Sequence, residues 1–176
     1  MKYRTIVVDP PWRYYLRRND VTHRGRCQYD DMSAEDIAAV AVGDWAEDDA
    51  HLYLWTTNNH MDESAAIMRA WGFEPKTILT WVKTQIGVGG YYRNSTEHVR
   101  FGVRGKLPLL RKDLPTHFIA PRGRHSQKPD SFYDMVETAS PGPWLDIFAR
   151  RHRMNWSQAG NEVYSVIPEL AAKEHA

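Results

Sequence analysis

The run Thr5-Ile6-Val7-Val8, stopped within two residues by Pro10-Pro11, constrains the fold more than any other stretch. A short β-branched apolar run reads as a buried strand. Neither proline can donate to a ladder, so the strand ends there. Asp9 and Trp12 are thereby set side by side at the strand's carboxyl end, the end of an open α/β sheet where ligands bind. A strand followed by a tight turn, which Asp-Pro also makes, is the other reading of Asp9-Pro10-Pro11-Trp12 taken alone. The chemistry that suits these residues is methyl transfer to a planar exocyclic amine, whose lone pair is delocalised into its ring. A carboxylate and a proline-held carbonyl can accept the amine's two hydrogens, while an aromatic ring stacks on the base.

The rest of the chain alternates in the manner of a doubly wound sheet. Ser33 to Asp36 fits a capping box and starts a helix that Gly43 ends. A strand at His51 to Thr57 follows. Asn58 or Asn59 then caps a helix reaching Gly72, and Thr77 to Val82 is the third strand. Residues 98–103 form a fourth strand with no helix before it, which predicts an antiparallel pair at one sheet edge. A short strand at 116–120, a helix over 130–140 entered through Pro129, a strand at 144–148 and a last one within 156–163 complete the order. Residues 168–176 read as a tail.

The 176 residues suit one domain with a sizeable core. With 42% hydrophobic and 26% charged residues the chain is neither disordered nor membranous. No apolar run approaches a membrane span and no signal peptide is evident, so a cytoplasmic location is expected. One cysteine, Cys27, excludes an internal disulfide, and eight scattered histidines predict no metal site. The net charge of +1 is uninformative, but its distribution is not. Between Tyr29 and Pro75 one basic residue, Arg69, faces eleven acids, whereas 13–26, 93–128 and 150–153 hold most of the Lys and Arg. Such segregation points to a basic face for nucleic acid.

The tetrapeptide resembles the motif of amino-methyltransferases acting on adenine or cytosine. In its Asp-Pro-Pro-Trp form it is similar to the family of the catalytic subunit of the eukaryotic mRNA adenosine N6-methyltransferase, with bacterial and phage relatives. Seven further stretches fall in the family's order: Tyr29 to Ser33, Leu52 to Trp55, Asn94 to Gly105, His125 to Pro129, Ser140 to Gly142, Leu145 to Arg150 and Asn155 to Glu162. The resemblance implies a Rossmann-like fold: a mostly parallel sheet with an antiparallel edge and helices on both faces. It also implies S-adenosylmethionine as cofactor and methylation of adenine N6.

The resemblance assigns Asp9, Pro10, Pro11 and Trp12 to catalysis. For the cofactor it implies Asn161 and Glu162 at the ribose, Arg150 and His152 beside ribose and adenine, and Lys128 near the methionine carboxylate. Glu162 departs from the family's glutamine, yet a carboxylate also accepts from two hydroxyls. Phe148 is either core or cofactor wall. Trp12, Tyr29, Asn94, Glu97 and Lys128 are implied around the target base. Tyr29 can instead anchor its loop, and Glu97 can pair with Lys128. The ammonium of Lys128, just before a helix start, needs an anion close by. Loops 13–31, 84–97 and 104–114 are expected to recognise the target, alone or with a second copy or subunit. The minimal architecture favours DNA, with RNA as the alternative and a non-catalytic binding subunit as the rival.

Overall fold

A computed structural model describes residues 1–13, 31–87, 91–123, 127–160, 163 and 165–167. Seven strands form one sheet: β1 (Tyr3–Val8), β2 (Ala46–Thr56), β3 (Glu74–Lys83), β4 (Thr96–Arg104), β5 (His117–Ala120), β6 (Trp144–Ile147) and β7 (Trp156–Ala159). Their spatial order is β5-β3-β4-β2-β1-β6-β7. The helices are α1 (Ala34–Ala38), α2 (Met61–Ala70) and α3 (Asp130–Ala139). This is the expected Rossmann-like arrangement.

Alternation along the central strands builds two cores. Ile6, Val8, Leu52, Leu54, Leu145 and Ile147 pack with Ile37 of α1 and Ile67 and Met68 of α2. The intervening Val7, Tyr53 and Trp55 turn the other way, onto Phe132 and Val136 of α3. Strands buried on both faces must read as continuous apolar runs, which is why β1 and β2 were visible in the sequence.

β1 pairs in parallel with β2 on one side and β6 on the other. The chain leaves β1 in two directions, so β1 is the switch point at which such sheets open a crevice. Among the described residues the one antiparallel strand is β4, inserted between β2 and β3. The antiparallel pairing is present, but not at the rim, because β5 adds in parallel outside β3. Inversion has a consequence for the site. β4 brings its first residues, Thr96 and Glu97, to the end of the sheet where β2 and β3 finish.

Smaller differences concern helix ends. Ser33 caps α1 with a reciprocal box to Asp36. The helix stops at Ala38, and Gly43 lies in a separate 3-10 turn, Val42–Trp45. Asn58 and Asn59 belong to another 3-10 turn, Asn58–His60, and His60 caps α2 without a side-chain bond. Gly72, with φ +83°, follows α2 in the left-handed conformation that favours glycine.

The connection after β4 is tied to the opposite end of the sheet. The backbone N–H of Lys106 donates to Asp49, and that of Leu110 to the Ala139 carbonyl at the end of α3. His51, fully buried, bonds the Leu107 carbonyl through Nε2 at 2.9 Å and Ser140 Oγ through Nδ1 at 2.7 Å. A carbonyl only accepts, so Nε2 carries the proton and Nδ1 accepts from Ser140. Burial holds this imidazole below its usual range. Among the described residues no helix is long and apolar enough to cross a membrane.

Candidate active site

Asp9 follows β1 directly, and its N–H donates to the Ile147 carbonyl at 3.2 Å, which fixes it across the crevice from the end of β6. The next residues are braced. Trp12 N–H donates to the Pro10 carbonyl at 2.9 Å, and Met32 N–H to the Pro11 carbonyl at 2.8 Å. The Pro10 oxygen therefore keeps one lone pair for another donor. Trp12 departs from the base-stacking role expected of it. The ring is 5% exposed, stacks on His60 at 4.8 Å, and donates from Nε1 to the Trp55 carbonyl at 2.9 Å. It anchors the turn after β1 to the end of β2.

Four charged groups alternate across the strand ends. Lys128 Nζ lies 3.1 Å from Asp9 Oδ2 and 3.1 Å from Glu97 Oε2, over the Trp55 ring at 4.5 Å. Glu97 Oε1 in turn accepts from Lys83 Nζ at 2.5 Å, and Lys83 sits over Trp81 at 4.9 Å. The anion that Lys128 needs is thus supplied twice, and Glu97 pairs with Lys128. Burial disfavours every charge here, and the balance differs by group. Asp9 is pushed above its ordinary range by burial, against the pull of Lys128. At Glu97 burial is overcome by Lys128 and Lys83 together, which hold the carboxyl low. Burial also works against the Lys128 charge, but Asp9 and Glu97 outweigh it and the ammonium stays protonated.

Beside Asp9 a cleft is lined by Gln127, Lys128, Tyr133, Asp146, Phe148, Ala149, Arg150 and Arg151. β6 ends at its floor. Phe148 takes φ +64°, turning the chain sharply, and Ala149 N–H donates to the Ala159 carbonyl of β7. A Cβ at Gly160 would stand 2.4 Å from the Ala149 oxygen, so only glycine allows the two strand ends to approach this closely. Asp146 is buried in β6 and accepts from Tyr133 Oη at 2.8 Å, while burial pushes its carboxyl up to about 7. Arg151 donates to the Lys128 carbonyl at 3.3 Å and to Asp130 at 2.5 Å, clamping the segment before α3.

The structure therefore brings together Asp9, Pro10, Glu97, Lys128, Phe148 and Arg150. His152 is exposed and does not line the cleft. Asn94 is exposed, and its carbonyl accepts from Gly87 N–H at 2.8 Å, closing the β3–β4 connection. Tyr29, Asn161 and Glu162 lie outside the described residues, as does Cys27. Lys83, Asp146, Tyr133 and Arg151 are additions. Asp146 carried a signal, a carboxylate inside the apolar run Trp144 to Phe148. Lys83 carried another, since Trp81 and Lys83 share one face of a strand.

Two loops expected to serve the target lie differently. Residues 84–87 and 91–95 stand at the Asp9 end of the sheet, where Tyr91 and Tyr92 are 96% and 90% exposed. Arg122 joins them, its N–H on Gln85 and its guanidinium against Gly87. Loop 104–114 is held at the other end, and Arg111 is paired with Asp113. Arg153 in the 150–153 stretch is likewise engaged, bonding Asp134 and Glu137.

The chain is 30% identical over 96% of its length to the N(6)-adenosine-methyltransferase MT-A70-like protein of Drosophila melanogaster, covering 29% of that protein. It is 28% identical over 92% of its length to the Type II methyltransferase M.MunI of a Mycoplasma species, covering 78% of it. It is also 28% identical over 98% of its length to the human N(6)-adenosine-methyltransferase catalytic subunit METTL3, covering 30%. The chain thus spans about three tenths of these two animal relatives and most of the bacterial one. The profile of the MT-A70 family matches residues 3–162, and with the Asp9 cluster at the switch point of a Rossmann-like sheet this chain belongs to the MT-A70 family.

Proposed function

We propose that the protein transfers a methyl group from S-adenosylmethionine to the N6 amine of adenine in DNA. The observation that carries this is the Asp9–Lys128–Glu97 cluster, held beside the cleft at the carboxyl end of β1. The cleft suits the cofactor's chemistry. Lys128 and Arg150 are cations for a carboxylate, Asp9 and Asp146 are carboxylates for an ammonium, and Phe148 offers an aromatic wall. Asn161 and Glu162, assigned to the ribose, follow Gly160 directly. When bound, the cofactor supplies an electrophilic methyl on a sulfonium.

The protein's part is to ready the amine. Asp9 accepts one N–H and the free lone pair of the Pro10 carbonyl accepts the other, so the nitrogen lone pair is turned out of conjugation. Held by Lys128, Arg150 and Phe148, the cofactor would present its methyl to that lone pair, and the amine's proton would leave toward the Asp9 carboxylate that accepts it. The base must arrive unpaired or extruded from a duplex. Tyr91 and Tyr92, exposed at the same sheet end, offer stacking surfaces for bases flanking it.

The choice of DNA rests on the match across most of the Type II methyltransferase. A second reading, RNA, is favoured by the similarity to relatives named for adenosine, METTL3 among them. Mass spectrometry of nucleosides from DNA and RNA incubated with the protein and S-adenosylmethionine separates the two. The expected result is N6-methyldeoxyadenosine with the native protein. Asp9→Ala should cut it by about a hundredfold or more, the order seen when one preorganised polar partner is removed. Methyl found only in RNA selects the second reading, and methyl in neither overturns both.

A further inference from the structure

Lys83 ends β3 with its side chain 5% exposed and aimed at a carboxylate rather than at solvent. The hairpin prearranges it. Trp81 of β3 is in register with Glu97 of β4, and Lys83 N–H donates to the Ser95 carbonyl at 2.8 Å. Its stem crosses the Trp81 indole and its ammonium meets Glu97 Oε1. The four charges are thus two ammoniums and two carboxylates in strict alternation: Asp9, Lys128, Glu97, Lys83.

Without Lys83 the count changes. One ammonium, Lys128, would serve two buried carboxylates that both touch it at 3.1 Å. Carboxylates sharing a site in this way take up a proton between them. Asp9 is the worse place for that proton. A protonated carboxyl carries an O–H donor, which opposes the N–H groups it has to receive.

We propose that Lys83 is a positioning residue for the reaction: by satisfying Glu97 it leaves the Lys128 ammonium to Asp9, and so keeps Asp9 an ionised acceptor for the target amine. This rests on the reading of Asp9 given above. Other charged groups bear on the pair. Arg150, Asp146 and Tyr133 face Asp9, and His98 neighbours Glu97. None of them contacts Glu97 Oε1 among the described residues, where Lys83 alone donates.

The test is carboxyl-carbon NMR across pH, run beside the pH–rate profile of methyl transfer. Asp9 and Glu97 titrate as a coupled pair, and the upper step is the readout. Lys83→Met should raise that step by about one unit or more, the usual effect of losing an adjacent opposite charge. The acid limb of the rate profile should move up with it, and Lys83→Arg should restore both. Adding Glu97→Gln to Lys83→Met should bring the Asp9 midpoint back down, because Lys128 then has one carboxylate to serve. An unchanged upper step in Lys83→Met overturns the proposal. If that variant does not fold, Lys83→Gln takes its place in the same titration, and an unchanged upper step there overturns the proposal. A native protein that methylates neither DNA nor RNA refutes the proposed function, while the titrations still decide the role of Lys83.

Discussion

Replacing Lys128 with methionine keeps most of the stem that crosses Trp55 and removes only the ammonium. Asp9 and Glu97 are then left facing each other, both largely buried. At about 6 Å and an effective dielectric near 20, two carboxylates repel by about 3 kcal/mol. Breaking a buried ion pair by deleting one partner costs about 3–5 kcal/mol in comparable sites. We therefore expect a loss of about 3–5 kcal/mol at alkaline pH. The loss must depend on pH. In the variant, burial acts on Asp9 with no paired cation, so its folded pKa rises further above the unfolded value. A carboxyl of that kind contributes full stability below its unfolded pKa and loses it as pH rises through the folded one. The deficit against native protein should be small near about pH 4.5 and reach its full size by about pH 8. Urea unfolding followed by tryptophan fluorescence measures it, and the seven tryptophans give ample signal. A deficit of equal size at both pH values, or one under about 1 kcal/mol at the higher, would refute the reasoning.

Three shorter expectations follow from other parts of the molecule. Tyr91→Ala with Tyr92→Ala should weaken single-stranded DNA binding, measured by anisotropy at fixed salt, by about 1–3 kcal/mol per stacked base. Arg111→Ala with Lys112→Ala, in the loop held at the far end, should leave it unchanged. His51 is held below its usual range, so the stability it contributes is present above about pH 6.5 and lost as pH falls toward its folded value. Thermal melts between those limits should show that loss, and His51→Gln should flatten it. Asp146, pushed up to about 7, contributes stability below its unfolded pKa that is lost as pH rises through neutrality. Asp146→Asn keeps an acceptor for Tyr133 and should remove this loss, which runs from about pH 4 to about pH 7 and is read from the same melts.

What could be read from the residues follows from how locally each feature is determined. β1 and its abrupt end are written in seven adjacent positions, Thr5 to Pro11, and the Ser33–Asp36 box in four. The place of β4 depends on which distant strand it meets, and Val99 and Phe101 would be equally apolar at the rim or two places inside it. Lys128 and Glu97 are legible through motifs, but Lys83 stands just past the Thr77 to Val82 run and in no motif. The loop at 104–114 shows the limit of charge counting. Its composition is basic, yet His51 and Asp49 hold it away from Asp9, and no pattern of charges along the chain encodes which end of a sheet a loop occupies. The place of Trp12 is hidden for a related reason: an aromatic ring beside a carboxylate looks available until the carbonyl bound by its indole is known.

The closure at the base of the β3–β4 connection separates two design problems. Lys83 N–H on Ser95 and Gly87 N–H on Asn94 bolt the arms together before the chain departs toward Tyr91 and Tyr92. Whatever lies beyond those bonds hangs from a fixed pair of posts, and doubling the length of such a segment costs only about 0.6 kcal/mol of closure entropy. The tip is therefore an exchangeable part. Its sequence can be redrawn while the charged row beneath keeps its register.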